Sequence, residues 1–147
     1  MDTEVGPAAK TLPARYYTDP ELYRNELERF YCQSWICAGR SEQASIPGEY
    51  FLREIAGESI IITRSADHQV RAFYNVCRHR AAQVMNEPAG KATKLRCRYH
   101  GWTYDLTGQL RGTPEFDGVA DFRREDNGLV GVAVDTWGPL VFVKMHK

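Results

Sequence analysis

A chain of 147 residues suffices for one domain with a real core and falls short of two comfortable ones. Lys plus Arg and Asp plus Glu each number 19, so no global field draws the chain to nucleic acid or to anionic membrane. Met1–Pro7 lacks a charged stretch followed by an apolar one, the most apolar run is only Leu140–Val143, and nothing in the cysteine usage suggests an oxidising compartment. A soluble cytoplasmic domain, with neither signal peptide nor membrane span, is therefore expected.

Residues 1–12 are small, polar and Pro-containing, and read as a flexible segment without chemistry of its own. Thr18-Asp19-Pro20-Glu21 then reads as a helix start: Thr18 and Glu21 have capping-box spacing, and Pro20 suits the first turn, where its missing N–H is not needed. Leu22, Tyr23, Leu27, Phe30 and Tyr31 follow at helical spacing with Arg24, Asn25, Glu28 and Arg29 opposite, which predicts a helix over about 18–31 packed on the domain by one apolar stripe. Cys32 and Cys37 lie beside Trp35 and Ile36 in an apolar stretch and read as small buried hydrophobes.

Beyond the helix the pattern changes to strands. Trp35–Gly39, Tyr50–Arg53, Ser59–Thr63 and Val70–Asn75 are β-branched or aromatic runs, separated by Pro47-Gly48, Ala56-Gly57 and Ala66-Asp67-His68. Further along, Thr103–Asp105 and Gln109–Arg111 flank Leu106-Thr107-Gly108 as a hairpin, and Val130–Thr136 pairs with Leu140–Lys144 around Trp137-Gly138-Pro139. The fold class that follows is mainly β: a small antiparallel barrel or sandwich with an N-terminal helix.

Between these strands stands the most informative pattern in the chain. Cys77-Arg78-His79 and Cys97-Arg98-Tyr99-His100, with seventeen residues between His79 and Cys97, supply two thiolates and two imidazoles, one of each per loop. That set suits a Rieske-type [2Fe–2S] centre, in which two Cys hold one iron and two His the other. Tetrahedral zinc accepts the same ligands and is the competing reading, although zinc spacings usually keep Cys with Cys and His with His. Both loops hang from strand ends, so one tip of the domain can present the His-bound iron outward while the Cys-bound iron lies deeper. Arg78, Arg80, Arg96 and Arg98 surround the four residues; no aromatic platform interleaves them as nucleic-acid binding would need, whereas positive charge there stabilises an added electron or helps dock an acidic donor.

The tract C-R-Y-H-G-W-x-Y over Cys97–Tyr104 resembles the Rieske domain of ring-hydroxylating and related non-haem iron oxygenase large subunits. The likeness extends from about Leu12 to Met145 and is of the choline monooxygenase and glycine betaine demethylase type. It implies a Rieske domain over 13–147, metal ligands Cys77, His79, Cys97 and His100, Trp102 and Tyr104 packed beside the cluster, and Arg80 in its vicinity. Ala82 and Tyr99 stand where the high-potential Rieske proteins have an extra Cys in each loop, so no disulfide is implied between the loops. Ala81 departs from the family pattern, which has Gly there, and puts a positive-φ backbone at that point in doubt.

The resemblance further implies electrons arriving from a flavin or ferredoxin reductase and leaving to a mononuclear Fe(II) that activates O2. Such an iron needs two His and one carboxylate. Only His68 and His146 remain outside the two loops, so the catalytic domain is expected to be absent and the chain to be an N-terminal fragment or truncated gene product. In the full-length family, which forms homo-oligomers, the acceptor is the catalytic domain of a neighbouring subunit. A free-standing Rieske ferredoxin-type carrier is the alternative; those proteins lack the N-terminal helix.

Overall fold

The computed structural model describes residues 9–116 and 118–145; most of the expected loose segment 1–12, and His146, fall outside them. Asp19, not Thr18, caps the main helix. A residue preceding proline is pushed out of the α region, and Asp19 is extended (φ −80°, ψ 117°), its Oδ1 accepting from the N–H of Glu21 at 2.8 Å and of Leu22 at 3.4 Å. The capping box expected on Thr18 is therefore not formed. Thr18 instead ends a short helix α1 (Arg15–Thr18), and its hydroxyl donates to the Ala14 carbonyl.

Helix α2 (Pro20–Glu26) continues into a π-helical turn, Leu27–Tyr31, closed by the Cys32 N–H donating to the Leu27 carbonyl. No residue of these segments is buried; Leu22 and Leu27 are half-buried while Tyr23 and Phe30 are 59% and 57% exposed, so much of the apolar stripe is uncovered. Helical periodicity defines an apolar face without defining what covers it.

Ten strands follow among the described residues, all antiparallel. β1 (Ile36–Arg40), β2 (Glu49–Ile55), β3 (Glu58–Arg64), β4 (Val70–Tyr74), β5 (Ala89–Lys91), β9 (Gly131–Trp137) and β10 (Leu140–Lys144) form one sheet in the order β1-β10-β9-β4-β3-β2-β5. β6 (Leu95–Arg96), β7 (Thr103–Tyr104) and β8 (Leu110–Gly112) form a second, three-stranded sheet. The large sheet curls into a half-barrel and the small one carries the second Cys/His loop. Cys32 is buried as expected, but Cys37 is exposed: β1 is an edge strand on which Ala38, not its neighbour, faces the core.

The interior strand β3 explains how one sheet supports two cores. Ile60, Ile61 and Ile62 are all fully buried. Because successive side chains point to opposite faces, Ile60 and Ile62 pack with Phe51, Val141 and Val143, while Ile61 packs with Phe73, Leu95, Trp102 and Tyr104 beneath the Cys/His loops. The hairpin β7–β8 turns at Gly108 (φ +85°), where an added Cβ would run into the Phe73 ring.

Candidate metal centre

The two Cys/His loops have the same internal shape. In the first, the Cys77 N–H donates to the Ala82 carbonyl at 2.8 Å and the Ala81 N–H donates to the Cys77 carbonyl at 3.0 Å. In the second, the Cys97 N–H donates to the Trp102 carbonyl at 2.9 Å and the Gly101 N–H to the Cys97 carbonyl at 3.0 Å. Each turn closes only if its fifth residue is left-handed: Ala81 has φ +56° and Gly101 φ +74°. The positive φ that Ala81 put in doubt is thus kept, because the two hydrogen bonds around it fix the backbone more strongly than the methyl group opposes it.

Asn75 anchors the first loop, and sequence reasoning treated it only as a strand end. It is fully buried; its Nδ2 donates to the Ser59 hydroxyl at 3.1 Å and the Met85 carbonyl at 2.7 Å, and its Oδ1 accepts from the N–H groups of Val84 and Met85 at 3.0 and 2.8 Å. A polar residue ending an apolar strand two positions before a Cys-x-His was the available signal. Phe116 and Phe122, also missed, form with Trp102 an aromatic wall with ring centroids 4.8–5.6 Å apart.

The fold brings the four candidate ligands together in two pairs. Cys77 and Cys97 are buried, at 3% and 2% exposure, and their thiols are hydrogen-bond neighbours; no disulfide joins them. Outside them His79, half-buried, and His100, exposed, lie with ring centroids 4.7 Å apart. Among the described residues, no three Cys, His, Asp or Glu side chains converge on one point as a single ion would need. Two inner thiols and two outer imidazoles fit the donor set of a [2Fe–2S] centre, whereas a zinc ion needs its ligands around one position.

Local electrostatics match those roles. Burial pushes the Cys97 thiol up, against hydrogen bonds from the backbone of Tyr99 and His100 that favour the thiolate. His79 is held below the ordinary imidazole value, first by burial and then by the charges of His100 and the exposed Arg80, which favours the neutral ring that metals bind. Tyr104 is fully buried with its hydroxyl 3.3 Å from the Cys77 sulfur. That oxygen accepts from the Arg78 N–H at 3.0 Å, and toward a Cys77 thiolate, the form that binds metal and has no proton to give, the hydroxyl is the donor. Burial and then Cys77 raise the Tyr104 pKa, keeping it a donor. Trp102 is buried and stacks on His79 at 4.8 Å with 7° between the planes. His68 lies apart, in the left-handed turn between β3 and β4.

This fold and donor arrangement define a Rieske-type domain. The family description of the Rieske [2Fe–2S] domain matches residues 34–123, and the chain belongs to that family. Within it, the chain is similar to the Rieske domains of oxygenase subunits. It is 37% identical over 137 residues to the carnitine monooxygenase oxygenase subunit of Escherichia coli (strain K12), an alignment covering 93% of this chain and 37% of that protein. With the chloroplastic choline monooxygenase of Spinacia oleracea the identity is 33% over 148 residues, covering 100% of this chain and 34% of the relative. The solved structure of a quaternary ammonium Rieske monooxygenase in complex with its substrate L-carnitine superposes with a TM-score of 0.87 at 35% identity, covering 93% of this chain and 39% of that one. The chain thus spans less than two fifths of these relatives. No helix of the described residues is long and apolar enough to cross a membrane.

Proposed function

We propose that this chain passes single electrons from a flavin- or ferredoxin-containing reductase to the mononuclear iron of an oxygenase catalytic domain in a neighbouring subunit. The observation that carries this reading is the division of four donors into two buried thiols and two outer imidazoles at one tip. Cys77 and Cys97 would hold one iron of a [2Fe–2S] centre, and His79 and His100 the other. Once bound, the [2Fe–2S] centre supplies a one-electron carrier that makes and breaks no substrate bond. The Tyr104 hydroxyl stabilises negative charge on the Cys77 sulfur, which favours the reduced form. Trp102, Phe116 and Phe122 keep water from the inner side of His79. His100 is left facing the electron partner.

The substrate class proposed for the complete oxygenase is a small quaternary ammonium compound, on the strength of the carnitine and choline relatives. The oxygenase reading is favoured over a free-standing carrier by the N-terminal helices, whose exposed aromatic face suits docking on a larger body. Anaerobic purification followed by visible absorption and EPR of the reduced form tests the assignment. The expected result is a Rieske-type spectrum that disappears in His100→Ala. A colourless, zinc-loaded protein, or an unchanged spectrum in His100→Ala, would overturn it.

A further inference from the structure

The neutral total charge hides a strong asymmetry. Residues 77–100 hold six Lys and Arg against a single acid, Glu87, so that the rest of the chain has thirteen cations against eighteen acids. Strand alternation sharpens this at β6: Leu95 and Cys97 point inward and are buried, while Lys94, Arg96 and Arg98 are all exposed. These three cations line one shallow cavity together with Glu87 and Tyr50, and Arg96 and Arg98 continue into a groove of about 520 Å3 that runs to Tyr99 and His100. Among the described residues Arg98 is ion-paired, with Glu87 at 3.6 Å, and Lys94 and Arg96 have no ion pair. Lys94 and Arg96, both exposed, leave this face with positive charge that Glu87 only partly offsets. Tyr99, 62% exposed and 3.9 Å from the His100 ring, adds an aromatic anchor at the end of the row.

We propose that the row Lys94–Arg96–Arg98, with Tyr99 at its end, is the docking surface for an acidic one-electron donor protein of the iron–sulfur ferredoxin type, a proposal that rests on the cluster reading above. The charge asymmetry orients such a partner with its acidic face toward the His100 tip before contact. In the docked pair one electron leaves the reduced donor and enters the oxidised centre held by Cys77, His79, Cys97 and His100. The donor is oxidised by one electron, and no bond or proton need change hands. Polyanionic nucleic acid would meet the same charges, but the row is short and carries one aromatic ring, not the repeated stacking platform that single strands use.

Stopped-flow reduction of the full, cluster-loaded chain by a reduced plant-type [2Fe–2S] ferredoxin tests this. The wild-type rate should fall about tenfold as salt rises from about 20 to 300 mM. Replacing Lys94, Arg96 and Arg98 by Gln together should slow the reaction about tenfold at low salt and flatten its salt dependence, while Gln at Lys10, Arg24 and Arg29 on the N-terminal segment leaves it unchanged. Glu87→Lys, which adds a cation to the row and needs no loss of packing, should speed it. Salt-independent reduction, wild-type rates in the triple variant with an intact visible spectrum, or single-stranded DNA binding to the row without a ferredoxin effect would overturn the docking proposal alone. A wild-type chain that takes up no cluster would overturn the ligand reading and this proposal with it.

Discussion

Ala81 and Gly101 occupy the same place in two loops of the same shape, each left-handed and each donating its N–H to the carbonyl of the Cys four residues earlier. The two positions differ in what a side chain meets. At Gly101 an added Cβ would stand 3.3 Å from the Arg96 Nη2 and the Pro114 Cγ. A left-handed residue other than Gly costs about 1–2 kcal/mol, against about 0.5–1 kcal/mol of extra chain entropy for Gly. Ala81→Gly should therefore stabilise the chain by about 0.5–1 kcal/mol, raising Tm by about 1–4 °C, and Gly101→Ala should lower it. Differential scanning calorimetry of the loaded protein decides; a lower Tm for Ala81→Gly would show that the first loop does not need a left-handed residue.

Tyr104→Phe removes the proton directed at the Cys77 sulfur while keeping the ring that fills the core. The reduced centre, which carries the extra negative charge, loses more than the oxidised one. With a hydrogen bond of about 1 kcal/mol the reduction potential should fall by roughly 40 mV. Potentiometric titration followed by EPR measures this, and an unchanged or higher potential would mean that the hydroxyl does not donate to the sulfur.

Asn75→Ala leaves the N–H groups of Val84 and Met85 without their shared acceptor. A buried donor left unsatisfied costs about 1–3 kcal/mol, so stability should drop by at least about 2 kcal/mol. The loop bearing Cys77 and His79 should loosen with it. The expected signature is faster loss of the visible absorption under a chelator, as well as a lower denaturation midpoint. Global destabilisation with unaltered cluster loss would separate Asn75 from the metal site.

Asp105 ties the β7–β8 turn: its Oδ1 accepts from the Thr107 N–H and hydroxyl and the Gln109 N–H, and its Oδ2 lies 2.7 Å from the Arg111 Nε. Burial pushes this carboxyl up, yet the hydrogen bonds from Thr107, Arg111 and Gln109 outweigh it and hold the pKa below the ordinary carboxylate value. A depressed folded pKa contributes stability that is complete above the unfolded pKa of about 3.9 and is lost as pH falls through the folded value. Asp105→Asn should lower Tm at neutral pH, by a margin that narrows as pH drops below about 4. Thermal melts of both proteins from pH 7 to pH 3 test this; a margin that stays constant would assign the loss to packing.

The four candidate ligands, the strand runs and the β7–β8 hairpin could be picked out in the chain because each depends on neighbours close in sequence: Cys and His two or three apart, alternating apolar residues, a Gly at the turn. What required tertiary structure was everything set by residues far apart. Only folding places Cys77 against Cys97 and His79 against His100, dividing the donors two and two. Asn75 became a clamp because Ser59 and Met85 converge on it, and Cys37 faces outward because Ala38, its neighbour on β1, takes the core-facing place. Asp19 displaced Thr18 through a local rule, the proline that follows it, which the capping-box spacing had masked. The methyl group of Ala81 argued against a left-handed turn, but the Cys77 and Ala82 hydrogen bonds decided otherwise. Local chemistry selects which atoms can bind a metal; long-range packing decides which of them meet, because the energy that holds them together comes from the shared core beneath the loops.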